Sequence, residues 1–208
     1  MKHVVIVHGF LMKSPVMSFV AGHLAFRGYR PIFFNYRTLH FNKEKTLSRL
    51  EELCKNLDEV YFVGHSMGGL IIRQFLQDKK DDKYKGIVTL GTPHQSSRFA
   101  QIVSDSELNN LLGINEHSGL ISTLHEWDND TIPFGSIAGN KPKGLFAVYQ
   151  KLKEDVKEPH DGTILVEETK GNFNDHVVLP ISHTGLVYSK AVVDQIEYFF
   201  EHNKFFKS

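Results

Sequence analysis

One octapeptide constrains this chain more than any other: Val63-Gly64-His65-Ser66-Met67-Gly68-Gly69-Leu70, which follows the β-rich run Glu59-Val60-Tyr61-Phe62-Val63. Glycines stand two positions either side of Ser66. A strand that turns at once into a helix puts the turning residue in a cramped backbone, and only glycines at those positions leave room for it. Such a turn lifts one side chain, here Ser66, clear of the surface. It also demands a strand before it and a covering helix after it, and Leu70, Ile71, Arg73, Gln74 and Phe75 continue at helical spacing.

The same alternation runs along the rest of the chain. Short β-rich runs predict strands at His3 to Val7, Pro31 to Tyr36, Glu59 to Val63, Gly86 to Leu90, Phe134 to Ala138 and His176 to Pro180. Helical spacing predicts covering helices at Pro15 to Phe26, Lys43 to Asn56, Met67 to Lys79 and Ser189 to Phe200. Strands alternating with helices give the α/β class, a mainly parallel sheet of about six strands with helices on both faces. A chain of 208 residues, 41% hydrophobic, suits a single domain spanning 1–208. Two stretches break the rhythm. Arg98 to Asp130 carries Leu108, Leu111, Leu112, Leu120, Leu124 and Trp127, and is expected to form a small helical cover over the strand ends. Lys141 to Pro159 is lysine-rich and reads as a surface connection.

Charge narrows the partners. Lys plus Arg and Asp plus Glu are equal at 24 each, so there is no broad basic field of the kind that nucleic acid or an anionic membrane would need. Only Val4 to Val7 are uninterrupted apolar residues near the N-terminus, and no later run approaches the length of a membrane span. No secretory leader or stable membrane insertion is expected, and the cytoplasm is the expected location. Cys54 is the single cysteine, so an internal disulfide is excluded, and it is expected to be a buried thiol.

Gly64-His65-Ser66-Met67-Gly68 fits the G-x-S-x-G pattern with the strand and helix that pattern requires. A serine hydroxyl is a weak nucleophile at neutral pH, so it needs a base to take its proton and a third group to orient that base. Four further stretches complete a pattern: His8-Gly9-Phe10, Gly91-Thr92-Pro93-His94, Asp161-Gly162-Thr163 and Ser182-His183-Thr184-Gly185-Leu186. With these, the chain resembles the α/β-hydrolase family over nearly its whole length, and the small bacterial lipases and related serine esterases most of all. Its first strand at residue 3 implies the minimal version of that fold, without the two leading strands of larger members.

The family runs serine, acid, histidine along the chain, an order that Ser66, Asp161 and His183 obey. His183 directly follows the last strand, where a loop at the carboxyl end of a parallel sheet reaches the nucleophile. His176 starts that strand and belongs at the opposite edge, and His65 points the wrong way on the tight turn. Asp161, Asp155 and Asp175 compete for the acid, and Asp161 lies in the loop where the family's acid resides. Pro159-His160-Asp161-Gly162 is also a good turn in its own right. The resemblance further implies an oxyanion hole from the backbone N–H groups of Met67 and Phe10, and gives Gly91-Thr92-Pro93-His94 a part in shaping the pocket.

These residues imply a serine hydrolase cleaving carboxylic esters, with Ser66, His183 and Asp161 as catalytic residues. Leu11, Met12, Leu111, Leu112 and Trp127 are the expected substrate-binding residues, a set that favours an apolar acyl chain of a small-molecule or lipid ester. The same machinery serves acyl transfer and thioester cleavage, and a non-catalytic module binding an apolar ligand is a further alternative. The sequence carries no His-Glu-x-x-His helix, cysteine pair or glycine-rich phosphate loop, so neither a metal nor another cofactor is expected.

Overall fold

In β1 (Lys2–Val7) every residue from His3 onward is buried, so its apolar side chains need cover on both faces. The computed structural model describes residues 1–95, 126–143 and 157–207. It completes the sheet with β2 (Arg30–Phe34), β3 (Glu59–His65), β4 (Tyr84–Leu90), β5 (Phe134–Gly139) and β6 (Asp175–Leu179). All neighbouring pairs are parallel, in the order β2-β1-β3-β4-β5-β6. The covering helices are α1 (Ser18–Phe26), α2 (Lys43–Cys54), α3 (Met67–Leu76) and α4 (Lys190–His202).

Successive strand side chains point to opposite faces, and β1 shows the consequence. Val4 and Ile6 enter one core layer with Val20 and Leu24 of α1 and Ile196 and Phe199 of α4. Val5 and Val7 enter the other with Leu50 and Cys54 of α2 and Ile71 and Phe75 of α3. Fully burying a side chain such as Phe62 or Phe199 stabilises the fold by about 1.5–3 kcal/mol. Local chemistry sets the helix ends. The Asn42 side chain accepts the Lys45 N–H at 2.8 Å to start α2, and Asn203, left-handed at φ 56°, ends α4 with its N–H on the Phe199 carbonyl.

The elements depart from the sequence expectations at their ends. The first predicted helix splits into a 3-10 turn, Ser14–Met17, and α1. β2 stops at Phe34 because Asn35 turns aside to accept hydrogen bonds from the Ser14 N–H and hydroxyl. β3 runs on through Gly64 and His65, and the Ser66 N–H then bonds to the Leu90 carbonyl. Most of the expected cover at 98–130, with Leu111 and Leu112, lies outside the described residues, as does most of Lys141 to Pro159. Among the described residues no helix is long and apolar enough to cross a membrane.

The strand order positions the site. The chain leaves β1 for β2 on one side and returns to β3 on the other. At such a switch point the loops beyond the carboxyl ends diverge and open a crevice. Val7 pairs with Gly64 there, so His8-Gly9 and Ser66 emerge side by side.

Candidate active site

Ser66 sits between β3 and α3 with φ 51° and ψ −122°, a conformation that costs a non-glycine residue about 1–3 kcal/mol and persists only where the surroundings impose it. The surroundings here are glycine-tight. A Cβ on Gly64 would lie 2.6 Å from the Gly69 backbone, and one on Gly68 would collide with the Val7 carbonyl. The Ser66 carbonyl is held by the Gly69 N–H at 3.0 Å and the Thr92 hydroxyl at 2.9 Å. Met67 is the first residue of α3, so its N–H has no partner inside the helix and sits at the positive end of the helix dipole.

His183 and Asp161 meet across 22 positions of sequence. The His183 Nδ1–H donates to Asp161 Oδ2 at 2.7 Å, and both side chains are almost wholly buried. The other carboxylate oxygen, Oδ1, accepts the Thr163 and Ile164 N–H groups at 2.9 and 2.8 Å. Turn and partner are therefore one device: Oδ1 closes the Asp161-Gly162 turn while Oδ2 faces the imidazole. A further bond from the His183 N–H to the Asp161 carbonyl, 2.9 Å, ties the two backbones together. Gly91, at φ +56°, packs beneath the pair, where a Cβ would lie 2.9 Å from His183 Nδ1 and 3.0 Å from Asp161 Oδ2.

The loop after β1 passes over the elbow. Gly9 lies so close that a Cβ there would come within 3.2 Å of the Ser66 Cβ. His8 is buried, stacks on Tyr36 at 4.5 Å and receives the Tyr36 hydroxyl on its carbonyl at 2.8 Å. Burial lowers the His8 pKa, and the ring's bond to the Gly9 carbonyl offsets this in part. Beyond it, Phe10 and Met12 are half-buried. Leu11 is 60% exposed and left-handed at φ 56°.

The other residues singled out by the sequence go elsewhere. Trp127, expected to face the pocket, is instead 4% exposed in the core layer of α2 and α3, edge-on to Phe134 at 4.9 Å. A large aromatic ring gains more from that dry layer than from a wet crevice. Asp175 binds the C-terminal segment, accepting the Phe205 N–H at 2.9 Å and pairing with Lys207 at 3.3 Å. His176 bonds to the Thr169 hydroxyl, and Asp155 lies outside the described residues. His94 is a buried core histidine, set against Phe134 and Phe173 with Nε2 at the Thr89 hydroxyl. The sequence places Gly91-Thr92 beside the pocket but not what each does there, Gly91 under the pair and Thr92 on the elbow. Tyr36 on the His8 carbonyl carries no sequence signal.

Comparison with known proteins agrees with this architecture. Residues 2–190 match the family described as the alpha/beta hydrolase fold. No curated protein sequence matches the chain. Several solved structures are similar at low identity. One is a metagenomic carboxyl esterase, MGS0156, with TM-score 0.68 and 15% identity over 88% of this chain. The chain covers 64% of that esterase's length. The ydeN gene product from B. subtilis has TM-score 0.61 and 18% identity, covering 97% of this chain and 100% of that one. A pyrethroid hydrolase from Sphingobium faniae JZ-2 has TM-score 0.60 and 17% identity, covering 97% and 98%. With the parallel sheet, the strained elbow after β3 and a family match over nearly its whole length, the chain belongs to the alpha/beta hydrolase fold family.

Proposed function

We propose that the protein is a serine hydrolase that cleaves carboxylic esters through an acyl-enzyme on Ser66. The observation that carries the reading is the buried His183–Asp161 hydrogen bond of 2.7 Å, on a loop whose His183 ring packs against the residue preceding the strained Ser66. In this reading the Ser66 hydroxyl attacks the acyl carbon and its proton passes to His183 Nε2. Asp161 holds Nδ1 protonated, which leaves Nε2 free to accept. The Met67 and Phe10 N–H groups stabilise the oxyanion, and donors aimed at that charge usually contribute more to the rate than any other single effect. The protonated His183 then releases the alcohol, and water, activated in the same way, frees the acid.

The substrate class follows from the mouth of the site. Leu11 projects an exposed apolar side chain from the loop over Ser66, and Met12 follows it half-buried. An apolar acyl chain would bury that surface, at about 0.8 kcal/mol per methylene. Two of the similar folds belong to proteins named as a carboxyl esterase and a pyrethroid hydrolase, names that fit this class.

A fluorophosphonate probe tests the assignment. It is expected to label Ser66 in the wild type and nothing in Ser66→Ala, and that variant should lose about 10⁴ to 10⁶ in turnover of acyl esters while remaining folded. Activity retained within about tenfold in Ser66→Ala would overturn the reading.

A further inference from the structure

His65 ends β3 and immediately precedes Ser66. Its side chain is completely buried and touches both walls of the crevice. On one side its Nε2 lies 3.1 Å from the His183 carbonyl. A carbonyl only accepts, so Nε2 carries the proton and His65 is the Nε2–H tautomer. Its ring also packs against the His183 imidazole, with centroids 4.6 Å apart and planes at 50°. On the other side its Nδ1 faces the Gly9 loop, where a Cβ on Gly9 would come within 2.8 Å of that nitrogen. Nδ1 has no hydrogen-bond partner among the described residues.

A side chain serving only to fill space would be apolar here, because a buried polar atom without a partner is destabilising. Among the described residues, the one hydrogen bond of the His65 side chain goes to the backbone of His183 itself. We propose that His65 is a positioning residue: its Nε2–H fixes the His183 loop, and its ring wedges that loop and the Gly9 loop apart on either side of Ser66. Burial, and after it the neighbouring His183, keep the His65 imidazole neutral, so the single N–H and its direction persist. The inference rests on reading Ser66 and His183 as nucleophile and base.

The test compares His65→Met, which keeps bulk without a donor, with His65→Gln, whose amide N–H ends near the position of Nε2. Wild type and both variants are measured for thermal midpoint, kcat and KM on a short-chain ester, and the fluorophosphonate labelling rate of Ser66. The low-field proton resonance of the His183 Nδ1–H is recorded as a readout that needs no turnover. His65→Met should lower kcat about 10- to 100-fold with little change in KM and should shift or broaden that resonance, since misplacing a catalytic group by about 1 Å costs rate on this scale. His65→Gln should recover kcat to within about threefold of wild type. Wild-type rates and an unchanged resonance in His65→Met, or a Gln variant no better than Met, would overturn the proposal. Should His65→Met fail to fold, His65→Asn takes its place, because its shorter amide stops short of the His183 carbonyl. If wild-type Ser66 does not label, the serine reading falls, and the resonance comparison alone decides whether His65 sets the position of His183.

Discussion

Replacing Gly91 by alanine probes the pair beneath which it packs, and the structure supplies both parts of its effect. Gly91 stands at φ +56°, and a Cβ in the left-handed region costs about 1–2 kcal/mol. The second part is contact. The added Cβ would lie 2.9 Å from His183 Nδ1 and 3.0 Å from Asp161 Oδ2, against ordinary van der Waals contact from 3.4 Å. The pair must therefore yield by about 0.5 Å, and Asp161 cannot do so freely, because two backbone N–H groups hold its other oxygen. Gly28 is a matched control, since it is also left-handed, at φ +86°, but an added Cβ there meets nothing within 4 Å. Both Gly91→Ala and Gly28→Ala should lower the thermal midpoint, by about 2–8 °C. Only Gly91→Ala should also lower kcat/KM on a short-chain ester, by about 10- to 100-fold, when both are assayed well below their midpoints. A Gly91→Ala enzyme with the expected loss of stability and wild-type kcat/KM would show that the His183–Asp161 pair can move half an ångström without consequence, and would refute its place in the reaction.

The remaining predictions concern the competing acid and the lone thiol. Asp161→Asn should cost at least about 10² more turnover than Asp175→Asn, because only the true partner keeps His183 in the required tautomer; ester kinetics on both variants decide this, and the reverse order would refute it. Asp175 opposes its own burial with hydrogen bonds from Phe205 and His176 and the Lys207 ammonium, which together hold its carboxyl below the ordinary range. A folded-state pKa lowered in this way means stability present above the unfolded carboxylate range and lost as pH falls through the folded value. Urea midpoints from pH 6 down through the acid range should therefore fall more steeply in wild type than in Asp175→Asn. Burial pushes the Cys54 thiol up to about 12, so at pH 8 a thiol reagent should react with the native protein far more slowly than with the urea-unfolded chain.

The sheet is legible in the sequence because its inner strands are buried on both faces and so read as apolar runs, as in Val4 to Val7 and Val60 to Val63. Their ends are not, and each departure has a local cause. Tyr36 looks like strand, yet its hydroxyl is drawn to the His8 carbonyl and the chain has already left the sheet at Asn35. Gly64 looks like turn, yet it remains paired with Val7 and Thr89. Trp127 stands among leucines in an unusual segment, which groups it with them over the crevice. Nothing in its neighbours' spacing reveals that Phe134, the first residue of the next strand, offers it a dry face.

Ser66, Asp161 and His183 can be named from local motifs, whereas the residues that hold them cannot, because support of this kind is a property of strand order. The register makes the point. Val7 pairs with Gly64 and His65 pairs with Leu90, so His8-Gly9, Ser66 and Gly91-Thr92 are neighbours one step beyond three adjacent strands. From that placement it follows that Gly9 must press on the elbow, that Thr92 can reach the Ser66 carbonyl, and that any side chain on Gly91 would meet whatever the outer loops bring in. The outer loops bring in Asp161 and His183, from beyond β5 and β6. The sequence alone makes His65 a bystander that points away from the chemistry. What strand order adds is the identity of the group it points toward: the backbone of His183, 118 positions later. A local motif can thus expose a candidate nucleophile, while the packing that holds its surroundings in place is assembled by residues whose shared feature is the strand end they occupy.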